Sequence, residues 1–423
     1  MKFTRPRGTR DFLPGEARRR RKVEKIIRDT FEKFGYGEVI TPVFENLELI
    51  TAKSGDDIRH VLYHFKDKSN RDLALRPELT APVMRLYVNA LQKEPKPVKL
   101  YYIANCFRYE RTQAGRYREF WQAGVESIGS AHPEANAEVI ALAVQTLETL
   151  GLKNFEVHIG HIGILRGILE EAGVDETEQN TLMGIIDKGE RGQVEEAIGT
   201  LSKENRDLLL QIIGLAGDPK DVLEKAAELL KGRENAKAGL SQLKETLDML
   251  EGFGVNDYRV NLGIARGLDY YTGTVFEIYA EKLGAQKQIC GGGSYTLAEA
   301  FGGERTATSG FAFGFDRILL ALEAQGDLPG EGTAAKFLIV PTGEGQIKNA
   351  IEISAILRRK SHCEINLMRR KLKKALAYAN ARGIPFVVIV GEEELKRGKV
   401  LIRDMGTEEQ REVEIKDLET MDL

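Results

Sequence analysis

Residues 108–126 read Arg108-Tyr109-Glu110-Arg111-Thr112-Gln113-Ala114-Gly115-Arg116-Tyr117-Arg118-Glu119-Phe120-Trp121-Gln122-Ala123-Gly124-Val125-Glu126. Strong strand formers flank a short loop, over residues 98–107 and again over 117–128. Side chains on a strand alternate between faces. Arg118, Phe120, Gln122, Gly124 and Glu126 therefore share one face, and Trp121, Val125 and Ser127 share the other. The second face is apolar and calls for a core. The first presents a cation, an aromatic plate, an amide, a gap and a carboxylate in order. That order fits a ligand with a phosphate, a flat ring and a cationic or polar group.

Working outward, 423 residues exceed one ordinary core, so two or three domains are expected. Hydrophobic residues at 42% and charged residues at 30% read as globular and soluble, and no apolar run is long enough to cross a membrane. A net charge of −3 means that any nucleic-acid contact must come from local basic patches. The N-terminus has basic residues with no apolar stretch behind them and reads as no secretory signal. Cys106, Cys290 and Cys363 are widely spaced, which reads as a reduced, cytoplasmic protein without a disulfide framework.

Val23, Ile26, Ile27, Phe31 and Phe34 predict a helix ended by Gly35. Strands and short helices follow to about residue 160. Residues 162–252 are rich in Leu, Ile, Ala, Glu and Lys and read as a helical insertion. Strand patterns return at 259–263 and 275–280, then Gly291-Gly292-Gly293. Phe315, Ile318, Leu319 and Leu322 mark another helix. Residues 326–333 read as a linker. Beyond it, apolar runs at 337–341 and 385–390 alternate with helices and predict a small α/β domain with parallel strands.

Together these segments resemble the histidyl-tRNA synthetases, a family of class II aminoacyl-tRNA synthetases. Four signatures carry the likeness beside residues 108–126. Pro42, Phe44 and Glu45 resemble the first class II motif. Arg76-Pro77-Glu78-Leu79-Thr80 resembles the family's Arg-Pro-Glu-x-Thr segment. Arg266-Gly267-Leu268-Asp269-Tyr270-Tyr271 resembles the histidine-specific motif, and residues 310–317 resemble the third class II motif. The implied fold is α+β: an antiparallel sheet with flanking helices, a helical insertion and a C-terminal α/β anticodon-binding domain. The implied domains are a discontinuous catalytic unit (1–161 and 253–325), the insertion (162–252), the linker (326–333) and the C-terminal domain (334–423).

The resemblance implies a two-step reaction, activation of L-histidine with ATP and then transfer to the 3′ end of tRNA(His). Arg266 and Arg108 would be catalytic, holding the α-phosphate. Arg108, Arg118, Phe120 and Arg317 would bind ATP, with Phe120 under the adenine. Glu78, Thr80 and Gln122 would accept the α-amino group. Glu126, Tyr270, Tyr271 and Tyr295 would form the imidazole pocket, although neighbouring tyrosines on a strand face opposite ways and one of the pair at 270 and 271 should pack. Arg111, Gln113 and Arg116 would meet the acceptor end of the tRNA. Mg2+ is expected only with ATP, and a homodimer through the first motif is implied. The clusters 358–360 and 369–374 would touch the anticodon arm. Ser294 and Thr296 depart from the family's common Gly-Gly-Gly-Arg-Tyr-Asp pattern and look like an archaeal-type variant.

Rival readings remain. His60 with His64, and His158 with His161, have metal-ligand spacing, but no Cys cluster or H-E-x-x-H supports zinc. The competing function is a noncatalytic regulatory subunit of ATP phosphoribosyltransferase. Such paralogues typically lack the anticodon-binding domain and lose catalytic arginines. A third reading is an RNA-binding sensor module.

Overall fold

The structure is a computed structural model. It describes all residues except 1–2, 53–57, 112–114, 190, 266–269, 282, 284–286, 331–334 and 421–423. The chain divides into two compact units, residues 1–11 with 20–329, and residues 12–19 with 330–423.

The first unit is built on β1 (Gly37–Glu38), β5 (Val98–Phe107), β6 (Glu119–Ile128), β7 (Phe155–His161), β8 (Ala216–Gly217), β9 (Arg259–Asn261), β10 (Tyr271–Ala280), β11 (Gln288–Tyr295) and β12 (Thr308–Gly314). These form one sheet in the order β1-β5-β6-β12-β11-β10-β7-β9-β8. Its centre is antiparallel. A smaller sheet joins β2 (Phe44–Asn46), β4 (Asp72–Leu75) and β3 (His64–Lys66) in that order.

The expected helices are present at Pro14–Lys33 and Phe315–Gln325. Val23, Ile27 and Phe31 are fully buried, as their helical spacing requires. Between β7 and β9 the chain is mostly helical, from Ile162–Glu171 to Glu234–Gly252. Short polar side chains start several of these helices: Asp175 accepts from Glu178 N, Ser202 from Asn205 N and Asp218 from Lys220 N. Their Leu and Ile rows share a core with the sheet rather than closing a separate one.

In the second unit, β13 (Phe337–Pro341), β14 (Cys363–Ile365), β15 (Phe386–Val390), β16 (Lys399–Asp404) and β17 (Gln410–Glu414) form the order β14-β13-β15-β16-β17. The three strands β14, β13 and β15 are parallel, as the apolar runs predict. β16 and β17 are antiparallel additions that the reading of a parallel domain did not contain. β17 alternates charged residues along an exposed edge, which hides it from a search for apolar runs.

Two buried ions organise the first unit. Arg76, 3% exposed, donates to Thr41 O at 2.8 Å, Pro42 O at 3.2 Å, Asn105 O at 2.8 Å and Asn105 Oδ1 at 3.0 Å. It thereby ties the segment before β2 to β5. Asp316 accepts from Arg20 at 2.6 Å, pairs with Arg10 at 2.8 Å and accepts the Trp121 N–H at 2.9 Å. Breaking a buried pair from one side strands the other charge, which costs about 3–5 kcal/mol. Asp316→Ala should therefore lower unfolding stability by about that amount in denaturant titrations. A change within about 0.5 kcal/mol would remove Asp316 as a structural hub.

Candidate active site

β6 supplies the floor. It pairs with β12 so that Glu126 lies opposite Gly310, Gly124 opposite Ala312 and Gln122 opposite Gly314. The glycines are sterically required. A Cβ on Gly310 would stand 2.0 Å from Glu126 Oε2, and one on Gly124 would stand 2.5 Å from the Tyr102 hydroxyl. The missing side chains leave room for a carboxyl group inside the sheet's own surface.

Glu126 is 1% exposed. The Tyr295 hydroxyl donates to its Oε2, and the Tyr102 hydroxyl approaches Oε1 at 3.5 Å. Burial pushes its carboxyl up to about 8, against these hydrogen bonds, with the charge of Glu78 adding to the rise. Tyr270, Tyr271 and Tyr295 wall this end, with ring centroids 5.1, 5.2 and 6.0 Å apart.

Glu78 has a double position. Its oxygens accept Thr80 N at 2.5 Å and Ala81 N at 3.0 Å, at the start of the helix Thr80–Leu86. A carboxylate here meets the free N–H groups of the helix's first turn. It also lines the cavity beside Thr80. Burial raises its carboxyl, while those backbone donors and Arg108 pull the other way. Cys106 is fully buried beneath and donates to Gln122 Oε1 at 3.3 Å; burial pushes its thiol up to about 12, so it acts as a packed hydrophobe and not as a nucleophile.

The other end is cationic. Arg108 donates to Pro77 O at 2.9 Å, and its guanidinium lies 5.3 Å from the Phe120 ring centroid. Arg317 donates to Gln288 O at 2.7 Å. Burial, then the like charges of Arg116 and Arg108, hold the Arg317 guanidinium below its usual range. Arg116 pairs with Glu110. Crowded guanidiniums of this kind favour a polyanion.

One cavity of about 400 Å³ joins both ends, a size suited to a small ligand. Glu78, Thr80, Arg108, Phe120, Gln122, Glu126, Tyr270, Tyr271, Tyr295 and Arg317 all line it. Arg118 is not among its lining residues. It sits just before β6, gives its N–H to Gly8 O at 2.9 Å, and rests its guanidinium 3.8 Å from the Tyr109 ring centroid. Arg116, expected on a tRNA-facing loop, is exposed on the loop between β5 and β6 and also lines the cavity, and Arg111 is exposed. Arg266 and Gln113 lie outside the described residues. Sequence reasoning missed Glu110, Gln288 and Asp187 as lining residues, and Tyr102 as the hydroxyl beneath Gly124.

The Ser294 departure has a structural counterpart. The pairing of β10 with β11 shifts register between Tyr271 and Val275. Ser294 Oγ donates to Thr274 O at 3.2 Å within this irregularity, and a Cβ on Gly273 would meet that Oγ at 2.7 Å. Bulges beside active sites re-aim side chains, and here the irregular stretch follows Tyr271 directly.

Glu126 gives a pH test. Its folded value near 8 lies above the ordinary 4.5. The stability it contributes is complete below about 4.5 and is lost as pH rises through about 8. In ligand-free protein, wild type minus Glu126→Gln should lose stability across that window. A difference flat with pH would mean that Glu126 is already ionised when empty.

Comparison with known proteins places this geometry. A family model described as histidyl-tRNA synthetase matches residues 8–318, and one described as an anticodon binding domain matches 336–421. The histidine--tRNA ligase of Methanocaldococcus jannaschii is 48% identical over 98% of both chains, and that of Archaeoglobus fulgidus is 48% identical over 97% of both. The crystal structure of a histidyl-tRNA synthetase from Nostoc superposes with a TM-score of 0.82 at 26% identity, covering 99% of this chain and 98% of that one. A Bacillus halodurans structure titled as an ATP phosphoribosyltransferase regulatory subunit/histidyl-tRNA synthetase gives 0.79 at 26% identity, covering 92% and 99%. With a match of this length in both sequence and structure, the chain belongs to the histidyl-tRNA synthetase family.

Proposed function

We propose that this chain is a histidine–tRNA ligase. The observation that carries the reading is a single cavity with a buried carboxyl ringed by tyrosine hydroxyls at one end and clustered arginines at the other. In the first step, a histidine carboxylate oxygen bonds to the α-phosphorus of ATP, and the bond to pyrophosphate breaks. The chain needs to position the reactants in line and neutralise phosphate charge. Arg108, beside Phe120, is suited to the α-phosphate with adenine on the ring. Arg317 and Arg116 are suited to the outer phosphates. Arg266 is assigned to the α-phosphate oxygens by its motif alone. Mg2+ would enter on the ATP phosphates and supply further neutralisation.

Glu126, Tyr295 and Tyr271 form the imidazole pocket in this reading, and Glu78, Thr80 and Gln122 receive the α-amino group. A wrong amino acid would leave the buried Glu126 and its hydroxyls unpaired, which gives strong discrimination without editing. A hydroxyl of the 3′-terminal ribose of tRNA(His) then takes the acyl group as an ester, and the acyl–phosphate bond breaks to release AMP. Arg111 is offered for the acceptor end, and the basic C-terminal unit for the anticodon arm.

Ile40, Val43, Phe44 and Phe65 are exposed around the small sheet, and Phe44 and Phe65 pack edge to face at 6.4 Å. That apolar surface supports a homodimer through the first motif. Three free cysteines fit a cytoplasmic setting. The regulatory-subunit reading is weaker because Arg108 and Arg317 stand in the cavity and the second unit matches an anticodon-binding domain.

Amino-acid-dependent ATP–pyrophosphate exchange should occur with histidine alone among the twenty amino acids. Silence with every amino acid, from folded protein with magnesium, would overturn the ligase and leave the regulatory paralogue. Arg266→Ala should lower histidine-dependent exchange about a thousandfold with an unchanged melting temperature. Near-normal exchange would remove Arg266 from the chemistry. Glu126→Ala should raise the KM for histidine far more than that for ATP; equal changes would misplace the imidazole pocket.

A further inference from the structure

His161 is a buried polar ring that the proposed chemistry leaves unused. It is 4% exposed, and its Nδ1 has no hydrogen-bond partner among the described residues. A buried nitrogen left unpaired is unfavourable and calls for a reason. Metal binding does not supply one. His158 and His161 lie three apart on β7 and so face opposite sides of the sheet, and no group of three His, Cys, Asp or Glu among the described residues could hold an ion. Burial pushes the His161 imidazole down to about 4, with Gln242 pulling the other way. The helix Ile162–Glu171 starts at the next residue, and a helix start disfavours a cation. The ring is therefore neutral.

Three glycines from three elements surround it. A Cβ on Gly163, in that helix, would stand 2.9 Å from Cε1. One on Gly239, in the helix Glu234–Gly252, would stand 3.1 Å from Nδ1, and one on Gly273, in β10, would stand 3.6 Å from Nε2. The ring thus meets the first and last helices of the insertion and the strand that carries Tyr271. Thr274, which pairs with His161, extends this contact: its Oγ1 lies 3.4 Å from Thr246 Oγ1 on the last helix.

β10 needs support at this point. On the β11 side, Tyr271 pairs with Tyr295 and the next pair is Val275 with Gly293, so three residues of β10 face Ser294 alone. On the β7 side, the ladder starts only at Thr274, opposite His161. Thr272 and Gly273 therefore have no cross-strand partner among the described residues, and Tyr271 before them lines the cavity. Side chains take over from the ladder. Ser294 Oγ and the His161 ring both close on Gly273, at 2.7 Å and 3.6 Å from where its Cβ would be.

We infer that His161 is a positioning residue for amino-acid recognition: with Ser294 it replaces the missing ladder at Gly273 and so sets where the Tyr271 hydroxyl stands in the cavity. The inference rests on the histidine pocket proposed above and adds a residue outside it. A flat, neutral ring suits the task. Gly163 and Gly239 leave no room for another carbon between the helices and the ring, and an uncharged ring puts no cation beneath the sheet. The unpaired nitrogen comes with a shape that the strand requires.

The test uses the full chain with His161→Ala, and with His161→Asn as a variant that keeps a small planar polar group. In histidine-dependent ATP–pyrophosphate exchange, His161→Ala should raise the KM for histidine about tenfold, the worth of one hydrogen bond from Tyr271. The KM for ATP and kcat should stay within about twofold. The same split, smaller in size, should appear in His161→Asn, which decides the matter should the alanine variant fail to fold. A merely structural role would loosen the site as a whole and move both KM values together. That outcome, or an unchanged KM for histidine, would overturn the inference. Placed on Tyr271→Phe, either change should add less than about twofold to the KM for histidine, because the hydroxyl being positioned is already gone. Losses that add in full would overturn it as well. Absence of exchange in the wild type would strike the ligase reading instead. Calorimetric titration with L-histidine, with binding about tenfold weaker expected in His161→Ala, would then still decide the role of His161.

Discussion

Asp316 is a carboxylate buried in the first unit, and much of the site's placement follows from how its charge is met. A lone ion there would cost several kcal/mol, so partners must converge on it. They come from separate parts of the chain: Arg10 from the N-terminal segment, Arg20 from the first helix and the Trp121 N–H from β6. Asp316 also sits in the first turn of its own helix, where negative charge is favoured. Satisfying one ion therefore joins the N-terminus, the first helix, the β6 strand and the helix after β12. Arg317 is the next residue and lines the cavity. Asp316 and Arg317 are neighbours in sequence and both line the cavity, so fixing the first helps to position the second.

The floor of the cavity works by omission. Gly124 and Gly310 give up side chains that would stabilise a sheet, and the space goes to Tyr102 and Glu126. The carboxyl that results is itself unfavourable when ionised, as its rise to about 8 indicates. Local stability is spent twice at one place. Such departures from good folding practice concentrate where a ligand later supplies the missing partner.

Much of this was readable in the sequence because the strongest signals coincide with strands. The hairpin of β5 and β6 follows from its strand formers, and Phe120, Gln122 and Glu126 line the cavity together as alternation requires. Arg118 shows where the rule stops. Parity holds only inside the ladder, and β6 begins at Glu119; Arg118 before it gives its N–H to Gly8 O and only its carbonyl still accepts from Arg108 N. Arg116 stays on the loop between β5 and β6 and also lines the cavity, because the loop's path is set by contacts such as that with Glu110, which spacing does not encode. Tyr102 was invisible for a different reason. Its role depends on standing opposite Gly124 in the β5–β6 register, and register is a property of two strands at once. The edge strand β17 escaped because it carries charge rather than an apolar run, while β16 between it and β15 has only the three-residue apolar run Val400-Leu401-Ile402, shorter than the runs that marked β13 and β15.

The two ends of the cavity also fix how a ligand must lie. At Arg317, burial and then the charges of Arg116 and Arg108 hold the guanidinium below its usual range; around Glu126, burial and Glu78 resist negative charge. Each end is strained in the sense that a complementary group relieves. A phosphate at the arginine end and a hydrogen-bonding ring at the carboxyl end lower both costs together. Reversing the ligand would bring phosphate to Glu126 and leave the arginines unmatched, which raises both. In the proposed reading, orientation is therefore set by the empty protein before any substrate enters, so the charge stabilisation would already be in place when the reaction needs it. The same opposition explains why Gly124 and Gly310 matter beyond packing. Filling the gap at Gly310 would displace the carboxyl and filling that at Gly124 would displace the Tyr102 hydroxyl beside it, and the difference between the two ends would shrink.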